Sequence, residues 1–283
     1  MAQFTNQAQL SYNNTVLNSN IATGELLDVL SITKTAVTES YDRSGNAVYV
    51  VSIVNTGNTA YSGLTLTDNL GGYTFGSATV YPLNYVAGSV KYYNNGVLQT
   101  TAPTVTAGPP LAISGITVPA GGNATVIYEA DITGFAPLGT ESQINNTVTL
   151  SGNGITALTA TETITAAAAP ELTINKTISP ASVTEGDRVT YTFTILNYGN
   201  TAATAADNVV IRDTFNPILS SLAVTFNGTA WAATTNYTYN QSSGEFATVA
   251  GQITVPAATY AQNTDGSYAI TPGVSVLTVT GTI

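Results

Sequence analysis

The chain has 283 residues, only 8% of them charged, a formal net charge of −10, and neither histidine nor cysteine. The acidic balance argues against a nucleic-acid partner, because no basic patch is available to displace counterions from phosphates. The missing residue types exclude disulfides, thiolate or imidazole metal sites and the commonest general base, so we expect no enzyme activity, metal or cofactor.

Strands are the predicted elements along the whole chain. Threonine, valine and 16 tyrosines suit a half-buried pleated surface. Short strand-like runs alternate with Gly, Pro and Asn, which is typical of all-β sandwiches. No apolar run is long enough to cross a bilayer, so the protein is not expected to be embedded in a membrane. Residues 1–4 have no basic region and no apolar core, so no export signal is expected there.

The first predicted strand covers residues 4–10. Phe4, Ala8 and Leu10 recur at period two, so this strand in isolation would expose an apolar face to water. A nearly matching stretch, residues 144–150, follows at an offset of 140. Something must therefore cover the first copy, as a domain would cover the second.

An internal repeat divides the rest of the chain. Residues 30–35 (LSITKT) match residues 172–177 (LTINKT) at an offset of 142, which also relates NTGNTA, beginning at Asn55, to NYGNTA, beginning at Asn197. A few inserted residues later, LTLTD at 64–68 pairs with VVIRD at 209–213. The sequence predicts two tandem immunoglobulin-like β-sandwich domains, residues 29–168 and 169–283, preceded by a donor strand and linker, residues 1–28.

The two copies end at different points of the repeat. Both contain an ITVP strand, at 116–119 and 253–256, and a following strand, at 123–128 and 274–279. The first copy continues to the strand at 144–150, whereas the second stops at Ile283 without it. The N-terminal strand is therefore predicted to supply the missing strand, either to its own molecule or to the next.

These two arrangements predict different functions. Insertion into a neighbour is a heterologous contact that builds an open chain, so the protein would be the subunit of an extracellular, pilus-like fibre, a head-to-tail homopolymer whose anchor or tip partner is left open. Self-closure would need residues 10–30, about 65 Å when fully extended, to reach across the first domain. It would give a monomeric surface adhesin or carbohydrate-binding module. We favour the fibre, because insertion repeats the spacing already used between the two domains.

Strand alternation places unusual polar residues in the core. Lys34 shares a face with Leu30 and Ile32, Asp68 with Leu64 and Leu66, and Asn146 with its apolar neighbours. In the second copy the corresponding set is Lys176 and Asp213, with Asn6 supplied by the donor strand.

Three interpretations of this set stay open. A buried amine loses its charge easily and becomes a nucleophile, so it can join to an asparagine carboxamide as an isopeptide, with a carboxylic acid moving the protons. The simpler interpretation is a buried Lys–Asp ion pair that hydrogen-bonds the asparagine. In the third the groups do not meet.

These residues also carry a resemblance. The set containing Lys34, Asn55, Asp68 and Asn146, with its echo in the second copy, resembles the tandem conserved-repeat domain of bacterial cell-surface proteins, the type called domain of unknown function eleven. The resemblance covers nearly the whole chain and implies an immunoglobulin-like sandwich, a surface or fibre role and, as in related pilins and adhesins, an internal isopeptide. The chain departs from that pattern in lacking a sorting motif and a membrane anchor, which fits a self-assembling appendage on a cell or spore surface.

Overall fold

The structure, a computed structural model, describes residues 2–26, 29–152 and 154–283. The predicted linker residues Leu27 and Asp28 lie outside them. The strands are β1 Ala2–Asn6, β2 Gln9–Tyr12, β3 Thr15–Asn18, β4 Ala22–Leu26, β5 Leu30–Ala36, β6 Ser40–Tyr41, β7 Asn46–Asn55, β8 Tyr61–Asp68, β9 Tyr73–Phe75, β10 Ala78–Val80, β11 Leu83–Tyr85, β12 Lys91–Asn94, β13 Val97–Leu98, β14 Thr104–Thr106, β15 Leu111–Val118, β16 Asn123–Ile132, β17 Gln143–Ser151, β18 Leu158–Ala166, β19 Leu172–Ser179, β20 Arg188–Asn197, β21 Arg212–Thr214, β22 Ser220–Phe226, β23 Thr229–Trp231, β24 Tyr237–Tyr239, β25 Glu245–Thr248, β26 Thr259–Gln262, β27 Tyr268–Thr271 and β28 Gly273–Thr282.

The predicted all-β architecture is confirmed. The only helix among the described residues is a 3-10 turn, Ala205–Asp207, and no helix there has the length and apolar character needed to cross a membrane.

Two sheets face each other in the first sandwich. One has the order β13-β12-β16-β7-β5, with β11 also paired to β16, and the other has the order β14-β15-β8-β17-β18-β6. Strand β7 alternates buried and half-buried residues, as expected for a sheet with one face on the core. Side chains from both sheets form one core, with Tyr49, Ile53, Leu64 and Leu150 fully buried. The hairpin β17–β18 completes the second sheet of this sandwich.

The second sandwich is built on the same plan but is smaller. Its sheets have the orders β19-β20-β28-β22-β23 and β21-β25-β24, around a separate core that includes Phe193, Phe215, Phe246 and Leu277. Among the described residues β21 lies at the edge of its sheet, whereas its counterpart β8 lies between β15 and β17. In the described part of the chain, no strand therefore pairs with β21 on the side where β17 pairs with β8.

Two equivalent asparagines show how closely the copies correspond. The Asn55 amide nitrogen donates to the carbonyls of Thr59 and Pro119 at 2.8 and 3.0 Å, and its oxygen accepts from the Gly57 amide. Asn197 repeats the pattern, donating to Thr201 and Pro256 at 2.7 and 3.0 Å. Each carboxamide ties a turn to the sheet, which satisfies buried backbone groups.

The N-terminal residues form a two-stranded arm, residues 2–26. Strand β1 pairs with β4, and β2 pairs with β3 around a turn at Asn13 and Asn14. Both turn residues have positive φ, 43° and 62°, as the tight type I′ hairpin turn requires. The arm exposes a set of large apolar side chains: Phe4, Leu10, Tyr12, Val16, Leu17 and Ile21.

Three predicted strands differ from the observed ones. The strand predicted over residues 4–10 is interrupted at Gln7 and Ala8, where the Ser19 hydroxyl accepts from the Ala8 amide at 2.9 Å and replaces a ladder bond. The strand predicted at 209–213 begins only at Arg212, because β21 has one partner strand where β8 has two. The ITVP stretch at 253–256 makes only an isolated bridge from Val255 to Ala203.

Candidate functional site

The first lysine site is closed. Lys34 on β5 points across the sandwich to Asp68 on β8, with Nζ 2.5 Å from Oδ2 and side-chain exposures of 0% and 3%. The Asp68 Oδ1 accepts from the Leu70 amide at 2.8 Å. The structure thus brings together two of the three predicted residues as a buried pair.

Asn146, the third predicted residue, lies in the same core on β17. It is fully buried, and neither atom of its carboxamide has a hydrogen-bond partner among the described residues. Two positions further along β17, Val148 lies opposite Asp68. A buried carboxamide with no partner costs on the order of 1–3 kcal/mol, so it marks a place where the sequence serves a purpose other than packing.

Two tyrosines that the sequence analysis missed complete this site. The Lys34 ammonium lies 4.5 Å from the Tyr49 ring centroid and 5.9 Å from that of Tyr128. The Tyr128 hydroxyl donates to Asp68 Oδ2, the oxygen that also faces Lys34. Asn146 is close enough to both phenols to oppose the rise in their pKa that burial causes, although it makes no well-formed hydrogen bond to either. The inward alternation of Tyr49 and Tyr128 was the available sequence signal.

The electrostatics of the closed site make the neutral form of the Lys34 amine easier to reach. The pKa of Lys34 falls from 10.5 to about 8, because desolvation by burial lowers it by more than the attraction of Asp68 and Glu162 raises it. An amine with this pKa is uncharged in about a tenth of the molecules at pH 7, far more than an ordinary lysine. Such an amine can act as a nucleophile toward a neighbouring carbonyl.

The second lysine site has the same plan but is open. Lys176 on β19 contacts Asp213 on β21, with side-chain exposures of 40% and 17%. The rings of Tyr191, Phe193 and Phe215 lie 4.7, 5.5 and 5.4 Å from its ammonium. No described residue of the chain takes the place that Asn146 has in the first site.

The open site extends along β19, the strand that carries Lys176. On β19, Ile174 and Ile178 are 57% and 41% exposed, whereas their counterparts on β5, Ile32 and Ala36, are half-buried under the first sandwich's cover. The remaining predicted residue, Asn6, is exposed on the arm with Phe4, Ala8 and Leu10. Within one molecule, the arm therefore leaves its own open site uncovered.

The chain was compared with known proteins. No protein-family model matches it, and no curated protein matches it. Its fold is similar to the C-terminal domain of the Streptococcus pyogenes antigen I/II-family protein AspA, at 12% identity over 90% of this chain and 92% of that chain with a TM-score of 0.37. It is also similar to BcpA, the major pilin subunit of Bacillus cereus, at 9% identity over 96% and 73% with a TM-score of 0.36. These likenesses assign neither a family nor a function, and membership of the tandem surface-repeat family stays a prediction.

Proposed function

We propose that the protein is the subunit of an extracellular fibre on a cell or spore surface, assembled when the N-terminal arm of one molecule completes the second sandwich of the next. The observation that carries this proposal is the contrast between two equivalent lysines. Lys34 is fully covered by a sandwich that includes β17, whereas the side chain of Lys176 is 40% exposed. Each molecule thus offers one open site and one apolar arm, and their union is head-to-tail.

The first sandwich defines the register of the joint. Strand β17 pairs antiparallel with β8 so that Val148 faces Asp68. The offset of 140 carries Val148 to Ala8, and the repeat carries Asp68 to Asp213. The donated strand therefore adds to the edge of β21 with Ala8 opposite Asp213, which brings Asn6 to the position that Asn146 has on β17 in the first core. Main-chain pairing supplies affinity, and alternate side chains fill the core.

The joint is then sealed covalently. The Lys176 amine attacks the Asn6 carboxamide carbon; a new C–N bond forms, the bond to the amide nitrogen breaks, and Asp213 carries the proton from the amine to the departing ammonia. The same reaction joins Lys34 to Asn146 with Asp68 inside the first sandwich. The competing interpretation is an ion pair without a covalent bond at either place.

A boiled denaturing gel and electron micrographs of four proteins test assembly and sealing separately. The wild type is expected to form filaments and a ladder of multimers that survives boiling. Asn6→Ala and Lys176→Arg are expected to keep filaments but lose the ladder. Lys91→Arg, the control at the one remaining lysine, keeps both. Filaments with no ladder in the wild type would remove the covalent joint and leave strand insertion standing.

Deleting residues 1–12 distinguishes the fibre from the adhesin. The fibre proposal expects soluble protein that no longer forms filaments. A monomeric wild type whose truncation changes only ligand binding would support self-closure and contradict the proposal.

A further inference from the structure

We infer that the unit exchanged between molecules is the whole two-stranded arm, residues 2–26, and not only the strand that carries Asn6. This inference rests on the proposed fibre and specifies what its open site binds: a preformed hairpin of a second copy of this chain. The returning half of the arm, β3 and β4, takes the place that β18 has in the first sandwich.

In the closed site two strands, β17 and β18, provide the cover. Strand β18 pairs with β17 from end to end, from Gln143 opposite Thr165 to Leu150 opposite Leu158. It buries Ile164 and Ala166 in the core. The Glu162 carboxylate on β18 accepts from the Ala36 amide of β5 at 3.2 Å. Strand β18 thus bridges the gap between its own sheet and the facing strand β5.

The open site lacks this second layer of cover as well as the first. The exposed isoleucines Ile174 and Ile178 lie on β19, the counterpart of β5, and not on the β21 edge that a single donated strand would occupy. Covering apolar side chains of this size favours association, because it removes apolar surface from water. A cover of one strand would leave the side chains on β19 exposed to solvent.

The arm already has the pairing of the β17–β18 hairpin. Leu10 lies opposite Leu17, as Leu150 lies opposite Leu158. Asn6 lies opposite Ala22, as Asn146 lies opposite Glu162. The two halves of the arm differ in register by one residue, so the returning strand carries one extra residue near Ser19. The donor pairing is therefore built before assembly.

The arm also compensates volume across its two strands. In the closed site the opposed pair Ile144 and Ile164 is fully buried. The equivalent pair in the arm is Phe4 opposite Gly24. A Cβ on Gly24 would lie 2.4 Å from the Phe4 ring, so the ring already rests on the glycine. The large Phe4 facing the small Gly24 thus fills roughly the volume of the two isoleucines. Such compensation between the two strands is needed only if both strands enter the core together.

Disulfide trapping between coexpressed single-cysteine variants tests the inference, since the chain has no cysteine of its own. Thr149 faces Thr67 and Thr165 faces Ser40 in the first sandwich. The corresponding pairs across the joint are Gln9→Cys with Arg212→Cys for the first strand, and Glu25→Cys with Ser182→Cys for the returning strand. Because each chain carries one cysteine, any mixed disulfide joins two molecules.

We expect both joint pairs to form mixed disulfides, identified as linked peptides by mass spectrometry, in yields comparable with two control proteins, Thr149→Cys/Thr67→Cys and Thr165→Cys/Ser40→Cys. A disulfide from the first pair alone would show single-strand exchange and overturn the inference while the fibre stands. With both controls oxidised and neither joint pair linked, strand insertion itself would be contradicted.

Discussion

At the residue scale, the two lysines show how one side chain behaves in a covered and an uncovered site. Lys34 and Lys176 have equivalent carboxylate partners, Asp68 and Asp213, and each ammonium lies over an equivalent tyrosine ring. One difference is that Val279 pairs with Tyr191 where Tyr128 pairs with Tyr49, so Asp213 lacks the phenol that Asp68 has. The larger difference is that the first sandwich covers Lys34 and keeps water away from it, which lowers the pKa of its amine.

The bond proposed inside the first sandwich predicts a mass change. Wild-type protein that has reacted at Lys34 should be lighter than its sequence mass by one ammonia, about 17 Da. Asn146→Leu should have its full sequence mass at this position, since no ammonia can leave. Intact-mass spectrometry of the monomer measures both. Equal deviations from sequence mass in the two proteins would contradict the reaction at Asn146.

Burial of an unreacted amine predicts a pH dependence of stability. In Asn146→Leu the Lys34 amine stays free, and its pKa of about 8 lies below the 10.5 of an ordinary lysine. Between these values the unfolded chain binds more protons, so the free energy of unfolding rises with pH. From about pH 8 to about pH 9.5, below the ordinary tyrosine range, we expect a rise on the order of 1 kcal/mol in urea unfolding followed by circular dichroism.

The control for this experiment is the double variant Lys34→Met/Asn146→Leu, which has no amine to titrate. Its first-domain stability should not rise over the same interval. Trp231, the single tryptophan, lies in the second sandwich, so its fluorescence follows that domain separately and should give the same midpoint in both variants. Parallel behaviour of the two first domains would contradict a lowered pKa at Lys34.

At the element scale, the arm is a pair of strands with its apolar face unused. Phe4 and Leu10 are 60% and 61% exposed, while their counterparts Ile144 and Leu150 are 1% and 0% exposed. The same pattern of side chains is thus buried in β17 and exposed to solvent in the arm. Hydrophobic burial therefore favours transfer of the arm into an open sandwich.

Alternation along the arm predicts opposite effects for neighbouring positions. Leu10→Asp would place a carboxylate in the joint core, where an unpaired charge costs several kcal/mol, so we expect polymer to be lost at concentrations where wild type assembles. Gln9→Asp, on the outward face, should assemble normally. Sedimentation of polymer measures both. Equal sedimentation of the two variants would argue that this face of the arm is not buried.

At the scale of the whole molecule, a hairpin of the second sandwich braces the first. Strands β26 and β27 occupy an insertion where the first sandwich has only a short turn, residues 119–122. The side-chain amide of Gln262 donates to the Tyr73 hydroxyl at 3.2 Å, and the backbone amide of Tyr268 donates to the Gly134 carbonyl at 2.8 Å. Nearby, Arg43 makes a bidentate pair with Glu171 at 2.6 to 3.0 Å.

This brace predicts that a small change at the hairpin tip loosens the junction. A Cβ on Gly266 would lie 2.9 Å from the Phe75 ring. We expect Gly266→Ala to broaden the distribution of shapes seen by small-angle X-ray scattering. Gly228→Ala is the matched control, because its φ of +78° gives similar backbone strain and nothing lies within 4 Å of the added atom. Equal scattering from the two variants would show that the hairpin tip does not hold the junction.

Sequence periodicity and the internal repeat were sufficient to predict the all-β class, the two copies, and the inward positions of Lys34 and Asp68. Alternation and internal similarity can be read directly from the amino-acid sequence. They could not supply Tyr128 as a partner of Asp68, since that contact joins strands 60 residues apart. They also missed the arm as a hairpin, because pairing between β1 and β4 depends on a turn whose two asparagines adopt positive φ. The sequence by itself determined that residues 4–10 repeat the pattern of the strand at residues 144–150. Only the tertiary structure decided that Lys176 is left open to solvent and that residues 2–26 pair as a two-stranded arm, because burial and pairing depend on which surfaces meet in space.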